Sequence, residues 1–124
     1  GEPADRVIPT LLRAATTGVP FHTTSSPSSR DFVFVADVAD AVVRAGVQQV
    51  VGEFNLGTGR CTSIDDLVEA VELVTGRRVD VRRGSFEPRP WDREAWVADP
   101  SHAADALGWT ATTSLVDGMR RSLP

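Results

Sequence analysis

Apolar residues recur every three or four positions in several parts of the chain, and this spacing predicts amphipathic helices. The first helix covers residues 7–17 and is expected to end at Gly18. The clearest helix begins at Ser63, where Ser63-Ile64-Asp65-Asp66 has the form of a capping box with Asp in place of the usual Glu. It is expected to end at Gly76. One of its faces is apolar: Leu67, Ala70, Val71 and Val74.

Two shorter helices are predicted near the end of the chain. Asp99-Pro100 opens the first, which runs to Leu107 and stops at Gly108. Thr113-Ser114 opens the second, which runs through Val116 and Met119 to Leu123. Large apolar residues in this part of the chain are predicted to lie in the core or between helices. They are Trp96, Leu107, Trp109 and Val116.

Short runs of β-forming residues predict strands between the helices. These strands cover residues 21–24, 30–35, 50–56 and 79–82, and a Pro- and charge-rich loop is predicted over residues 84–95. A helix over residues 38–44 is predicted to follow the run at 30–35. Asp37 is a suitable N-cap for this helix, which is expected to end near Gly46. Gly57-Thr58-Gly59 is interpreted as a plain turn. The pattern predicts one α/β domain over residues 1–124, because no internal repeat or linker is visible.

The composition of the chain argues against some classes of function. The 124 residues carry a net charge of −4, so a nucleic-acid-binding surface is not expected. No apolar run approaches the ~20 residues of a membrane span. The single cysteine, Cys61, fits a reducing cytoplasm, and the first residues do not have the pattern of a signal peptide. We therefore expect a cytoplasmic protein.

Two residue types are missing, and their absence limits the chemistry. The chain contains neither tyrosine nor lysine, so a mechanism that uses either as an acid or base cannot run on this chain alone. His22 and His102 are far apart and have no metal-ligand spacing. The residues alone indicate a part that binds rather than one that reacts.

Arg30 stands at the start of the predicted strand 30–35, where a cation in a cleft needs an anionic partner. Two interpretations have equal weight on the residues alone. Arg30 is either a ligand-binding residue or a surface arginine paired with Asp31 or Asp37.

Five segments, in order and with similar spacing, resemble the NAD-dependent epimerase/dehydratase family of extended short-chain dehydrogenases. They are RVIPTLLRAATTGVPF, RDFVFVADVADAVV, EFNLGTGRCTSIDDLVEAV, RPWDREAWVADPSHAADALGW and TSLVDGMRRSL. The resemblance implies a small mixed α/β fold, the C-terminal portion of an extended Rossmann-type enzyme. The Gly-rich dinucleotide motif and the catalytic Tyr-x-x-x-Lys of the family have no match here. NAD or NADP is thus expected in the complete enzyme, and none on this chain alone.

The same resemblance implies the residues that bind a nucleotide diphosphate sugar. Arg30 matches the family arginine that contacts the diphosphate, and Phe32 matches an aromatic residue lining the same site. Arg89 and Asp92 match an R-P-G-D motif, although Trp91 replaces its glycine here. Ile64 matches an aliphatic residue next to the base, and Val7 matches a position near the nucleotide. A core or helix-packing role is also open for Phe32 and Ile64, and an exposed ion pair for Arg89 with Asp92.

These implications leave three functions open. The chain is the nucleotide-sugar-binding part of an epimerase, dehydratase or reductase, a non-catalytic binding module, or a piece that docks onto a separate Rossmann chain. The family analogy assigns residues 54–56 to the sheet of the missing Rossmann half. Without that half, the exposed apolar surface would favour a homodimer or aggregation.

Overall fold

The computed structural model describes residues 5–25, 28–87 and 95–123. Within these ranges it has five helices and five short strands. The helices are α1 (Val7–Thr17), α2 (Val35–Gln48), α3 (Ile64–Thr75), α4 (Ser101–Leu107) and α5 (Leu115–Ser122). The strands are β1 (Phe21–Thr24), β2 (Ser29–Arg30), β3 (Thr62–Ser63), β4 (Val81–Phe86) and β5 (Ala95–Trp96). The chain is therefore mixed α/β, as predicted.

Two small sheets connect segments that are distant in sequence. β1 pairs in parallel with β4, with a register irregularity near Thr24. In the second sheet β2 is the central strand, antiparallel to β3 and parallel to β5. This second sheet brings residues 29–30, 62–63 and 95–96 side by side.

The first hydrophobic core lies between α1, α3 and α5. Leu11, Leu67 and Val71 are its most deeply buried aliphatic residues. Met119 of α5 packs into the same cluster. The repeat of apolar residues along α1 and α3 directs these side chains inwards, because residues three or four apart share a helix face.

The second core lies between α2 and α4. Trp109 is its largest residue, with an exposed fraction of 1%, and Ala41, Ala103 and Leu107 pack around it. The indole Nε1–H of Trp109 donates to the backbone carbonyl of Asp37 over 2.8 Å. This hydrogen bond satisfies the one polar atom of a buried tryptophan side chain.

Asp37 is buried in the first turn of α2 and joins that helix to the segment before α5. Its carboxylate accepts hydrogen bonds from the backbone N–H and the hydroxyl of both Thr112 and Thr113, over 2.9 to 3.2 Å. Desolvation raises the pKa of Asp37, but these bonds outweigh it and the net pKa is lowered. The carboxylate is therefore charged and fully bonded at neutral pH.

The prediction that Asp37 is the N-cap of this helix was wrong. The helix begins at Val35, three residues before its predicted start, and its N-cap is Phe34, which makes no side-chain cap. The helix also continues through Gly46 to Gln48. An acidic group inside the first turn still favours the positive end of the helix dipole.

Two strand predictions were also wrong. Of residues 30–35, only Arg30 is in a strand. α2 begins at Val35, and Phe32 and Val33 pack against the two cores instead of continuing the strand. Residues 50–56 form no strand, since they pair with no strand among the described residues. β4 starts two residues later than predicted and extends to Phe86, into the predicted loop, because it pairs with β1.

The predictions for the other four helices were confirmed. α1 has the predicted bounds, and α3 begins after a complete capping box between Ser63 and Asp66. α4 and α5 lie within one or two residues of their predicted starts and ends. No helix in the described part of the chain combines the length and the apolar character that crossing a membrane requires.

The Asp37 hydrogen bonds predict a large loss of stability in Asp37→Ala. The variant removes the acceptor of four partly buried, charge-assisted hydrogen bonds from Thr112 and Thr113, which should cost about 2–4 kcal/mol in the free energy of unfolding. Asp40→Ala is the matched control on the same helix, where an exposed ion pair with Arg44 is lost at a cost below about 1 kcal/mol. Urea unfolding measures both. Equal midpoints for the two variants would contradict the role given to Asp37.

Candidate functional site

Arg30 lies on β2, the central strand of the three-stranded sheet. It is opposite Thr62 of β3 and opposite Trp96 of β5. Its guanidinium carbon lies 5.0 Å from the centre of the Trp96 ring, and its Nη1 donates to the carbonyl of Ser29 over 2.8 Å. The half-buried arginine is thus held by a ring face and a backbone acceptor.

Asp31, the next residue, fixes the position of this strand. Its carboxylate accepts the backbone N–H and the hydroxyl of Thr58, at 2.5 to 3.0 Å, and the N–H of Gly59 at 2.9 Å. A longer bond of 3.3 Å comes from the N–H of Ala98, beyond β5. One side chain therefore ties β2 to the turn at residues 57–59 and to the segment that follows β5.

These donors also control the charge of Asp31. Desolvation raises the pKa of Asp31, but the hydrogen bonds from Thr58, Gly59 and Ala98 outweigh it, so the net pKa lies below its usual value. The charge at neutral pH strengthens each bond, because hydrogen bonds to an ionised acceptor are stronger than neutral ones.

Gly57 leaves room for this arrangement. A Cβ at that position would lie 2.5 Å from the Cβ of Ala98 and 2.6 Å from Oδ2 of Asp31. Both distances are below van der Waals contact, so only glycine lets the turn approach the carboxylate. The interpretation of residues 57–59 as a plain turn missed this packing.

A small pocket of about 160 Å³ lies beside the three-stranded sheet. Most of its lining residues carry hydroxyl groups, and the N-terminal residues of α3 complete it. The lining residues are Thr23, Thr24, Ser25, Ser28, Ser63, Ile64, Asp65 and Arg83. Arg83 and Asp65, both in the lining, form an ion pair. Arg30 does not line the pocket itself, but the preceding residue of β2, Ser29, pairs with the pocket residue Ser63, so the arginine lies next to the pocket.

A larger cavity, of about 700 Å³, lies between α1, the segment 32–35 and α5. Its lining is mostly apolar and includes Ile8, Leu12, Phe34 and Leu115. Among the described residues, its polar lining consists of three hydroxyl-bearing residues, Thr113, Ser114 and Ser122, and includes no charged side chain. This chemistry suits apolar packing better than it suits a nucleotide.

The residues predicted for the site fall into two groups. Arg30 and Ile64 lie close together, because β2 pairs with β3 and Ile64 is the first residue of α3, and Ile64 also packs against the first core. Phe32 is half-buried, packs against the first core and lines the larger cavity, while Val7 packs against the same core from the start of α1. The predicted Arg89 and Asp92 lie outside the described residues, so their roles remain predictions.

From the sequence, Trp96 was mispredicted, the partner of Arg30 stayed open and Arg83 was missed. Trp96 was predicted to lie in the core or between helices, but 55% of it is exposed and its ring lies under Arg30. The alternative in which Asp31 or Asp37 serves as a surface partner of Arg30 is not favoured, since both carboxylates bond to several other groups. No local signal could have located Arg83 in the pocket, because β4 reaches it only through long-range pairing with β1.

The turn at residues 57–59 does not fit the pyrophosphate of a dinucleotide. A Gly-rich loop binds pyrophosphate through free backbone N–H groups, and here the N–H groups of Thr58 and Gly59 already bond to Asp31. Nor do three or more His, Cys, Asp or Glu residues gather around a possible metal position within residues 5–25, 28–87 and 95–123.

Comparison with known proteins gives the family. The family model of GDP-mannose 4,6 dehydratase matches residues 4–122. The chain belongs to this family. It is 38% identical over 104 residues to a UDP-glucose 4-epimerase of Caenorhabditis elegans, covering 79% of this chain and 29% of that one. It is 35% identical over 107 residues to a probable UDP-arabinose 4-epimerase of Oryza sativa subsp. japonica, covering 83% of this chain and 25% of that one.

Solved structures confirm the fold class and the resemblance to NAD-dependent epimerases and dehydratases. The UDP-glucose 4-epimerase from Stenotrophomonas maltophila, solved with NAD and formylated UDP-arabinopyranose, superposes with a TM-score of 0.83 at 31% identity. The match covers 99% of this chain and 39% of that one. The family member described here therefore spans well under half the length of these relatives.

The packing around Gly57 predicts that Gly57→Ala destabilises the chain. The added methyl group must push Ala98 or the Asp31 carboxylate aside, at a cost of about 1–3 kcal/mol in the free energy of unfolding. Gly46→Ala is the matched control. Gly46 lies within α2 with no atom within 4 Å of an added Cβ, so alanine should stabilise by about 0.5–1 kcal/mol. Two variants that shift the urea midpoint in the same direction would contradict this account.

Proposed function

We propose that this chain is the nucleotide-sugar-binding part of an NAD- or NADP-dependent epimerase or dehydratase. The observation that carries the proposal is the position of Arg30, held on a fixed strand next to a pocket rich in hydroxyl groups. Family relatives supply further support, because several of those matched are named as epimerases of UDP sugars.

The chemistry of Arg30 suits a diphosphate. A guanidinium is always charged at neutral pH and offers paired N–H donors whose spacing matches two phosphate oxygens. Asp31 holds the backbone of Arg30 through bonds on both sides of β2, so this donor is positioned before a ligand arrives. Arg89 and Asp92, which match the second family motif, are proposed as further contacts to the same ligand.

The small pocket suits the nucleoside part of the ligand. Its serine and threonine hydroxyls both donate and accept hydrogen bonds, as recognition of a base and a ribose requires. Ile64 gives the pocket an apolar surface for a flat base. Phe32 and Val7 are proposed to support the site from the first core rather than to contact the nucleotide in this pocket.

The remaining chemistry is proposed to come from outside this chain. Without tyrosine or lysine, the chain supplies affinity and orientation and leaves the reaction at the sugar to the rest of the enzyme. NAD or NADP would supply the redox chemistry there. The reaction class is thus isomerase, lyase or oxidoreductase, according to the residues of the complete enzyme. A cytoplasmic location stays a prediction.

The outer face of α2 is proposed to pack against the cofactor-binding half of such an enzyme. Val42, Val43 and Val47 lie on this face, and Val47 is 79% exposed. Val35 at the start of the helix and Val51 beyond its end extend the apolar strip, and Val51 is 96% exposed. The matched relatives are about two to four times as long as this chain, so they contain a partner of the required size. Without that partner, the strip would favour a homodimer.

Removal of the Arg30 guanidinium tests the binding site. UDP should bind to Arg30→Ala at least about tenfold more weakly than to the unaltered chain, since a charge-assisted pair of hydrogen bonds is lost. Isothermal titration calorimetry with UDP measures the change. Arg13→Ala, on the exposed side of α1, is the matched control and should bind as the unaltered chain does.

The same titration can contradict the proposal in two ways. Equal UDP affinities for Arg30→Ala and Arg13→Ala would remove Arg30 from the site. UDP binding that is undetectable in the unaltered chain would indicate the alternative, a docking piece or a module that has lost its pocket.

Substitution on α2 tests the proposed partner. We would replace the matching part of the Caenorhabditis elegans epimerase with this chain and introduce Val43→Glu together with Val47→Glu. The charged side chains should lower the melting temperature of the chimera by 5 °C or more, on the order of a 2 kcal/mol loss, because they become buried without a partner.

The control for this test is Leu73→Glu, which changes an exposed leucine on α3 and should leave the chimera unaffected. In the isolated 124-residue chain, all three substitutions should cost little, since each site is exposed. If the double variant has the same melting temperature as the parent chimera, this face of α2 is not the interface.

A further inference from the structure

Trp96 is a large aromatic residue at an unusual place, half exposed beside the candidate site. Its exposed fraction is 55%, and the guanidinium carbon of Arg30 lies 5.0 Å from its ring centre. This separation is within the range of a cation–π contact, which is strongest with tryptophan among the aromatic side chains.

The backbone fixes this contact from both sides. Arg30 and Trp96 are partners in the parallel pairing of β2 and β5, so their side chains leave the same face of the sheet. The N–H of Asp31 donates to the carbonyl of Trp96 over 2.9 Å, and the Asp31 carboxylate accepts the N–H of Ala98. The ring and the guanidinium therefore meet because two strands are locked in register, and not through a mobile surface contact.

A ring on one face of a guanidinium does not compete with its N–H groups, and Nη1 of Arg30 already donates to the carbonyl of Ser29. The five N–H groups of a guanidinium lie in its own plane, so a ring against one face leaves them directed outwards. The stack also removes rotamer freedom that a long arginine side chain would otherwise lose when it binds an anion. Such an arginine is organised for a phosphate before the phosphate binds.

We propose that Trp96 is a positioning residue for Arg30: its ring holds the guanidinium in the orientation that binds the diphosphate of the nucleotide sugar. The proposal rests on the proposed function and adds a residue that acts through Arg30. It predicts that replacing Trp96 lowers the affinity for ligands with a diphosphate and leaves the affinity for the nucleoside alone unchanged.

The experiment is an NMR titration of the ¹⁵N-labelled 124-residue chain with UDP and, separately, with uridine. Trp96→Leu should weaken UDP binding by about three- to tenfold and leave uridine binding unchanged. Trp96→Phe keeps an aromatic face and should recover most of the UDP affinity. In an Arg30→Ala background, Trp96→Leu should have no further effect, because the group that it positions is absent.

A measurement without any variant covers the case in which Trp96→Leu does not fold. ¹⁵N relaxation of the arginine Nε–H groups should show that Arg30 is markedly more restricted than Arg13 in the free chain. Equal mobility of the two side chains would overturn the proposal.

The titration distinguishes the ways in which the account can fail. An unaltered chain that binds uridine and UDP equally well, or neither of them, contradicts the proposed function and this proposal with it. If the unaltered chain binds UDP more tightly than uridine and the Trp96→Leu variant shows the same preference, only the proposal for Trp96 is overturned. Equal losses for UDP and uridine, or a loss that persists without Arg30, would assign Trp96 a purely structural role.

Discussion

The carboxylate of Asp31 connects three segments that are far apart in sequence. Bonds from Thr58 and Gly59 hold the turn before β3, and a bond from Ala98 holds the segment after β5. Because Asp31 directly follows β2, these bonds keep the central strand of the small sheet in register with both neighbours. Arg30, the pocket beside it and the Trp96 ring all depend on that register, so a single half-buried charge organises the geometry of the candidate site.

A second carboxylate has the corresponding role in the other half of the described structure. Asp37 binds the segment before α5, and its carbonyl accepts the indole of Trp109 at the centre of the second core. Both acids have a lowered pKa because their donors outweigh desolvation, so both are ionised at neutral pH. The apolar cores supply most of the stabilisation, and the two carboxylates specify how the elements around those cores are arranged.

The sequence predicted what local interactions decide. The bounds of α1 and the capping box of α3 follow from residues within one turn of each helix end, and both are confirmed. The strand predictions at 30–35 and 50–56 were wrong because an apolar β-forming run becomes a strand only beside a partner. The close approach at Gly57 and the exposure of Trp96 depend on contacts between segments that no local pattern reveals. Family resemblance supplied Arg30 and Ile64, and their proximity required the structure.

The central claim is that Arg30, held by Asp31 and Trp96, binds the diphosphate of a nucleotide sugar. A crystal structure of the chain with UDP tests it most directly. The account predicts phosphate oxygens within about 3 Å of the Arg30 guanidinium nitrogens. It also predicts the nucleoside against Ile64 and the hydroxyl groups at residues 23–25. Bound UDP whose diphosphate lies away from Arg30, or in the apolar cavity between α1 and α5, would contradict it.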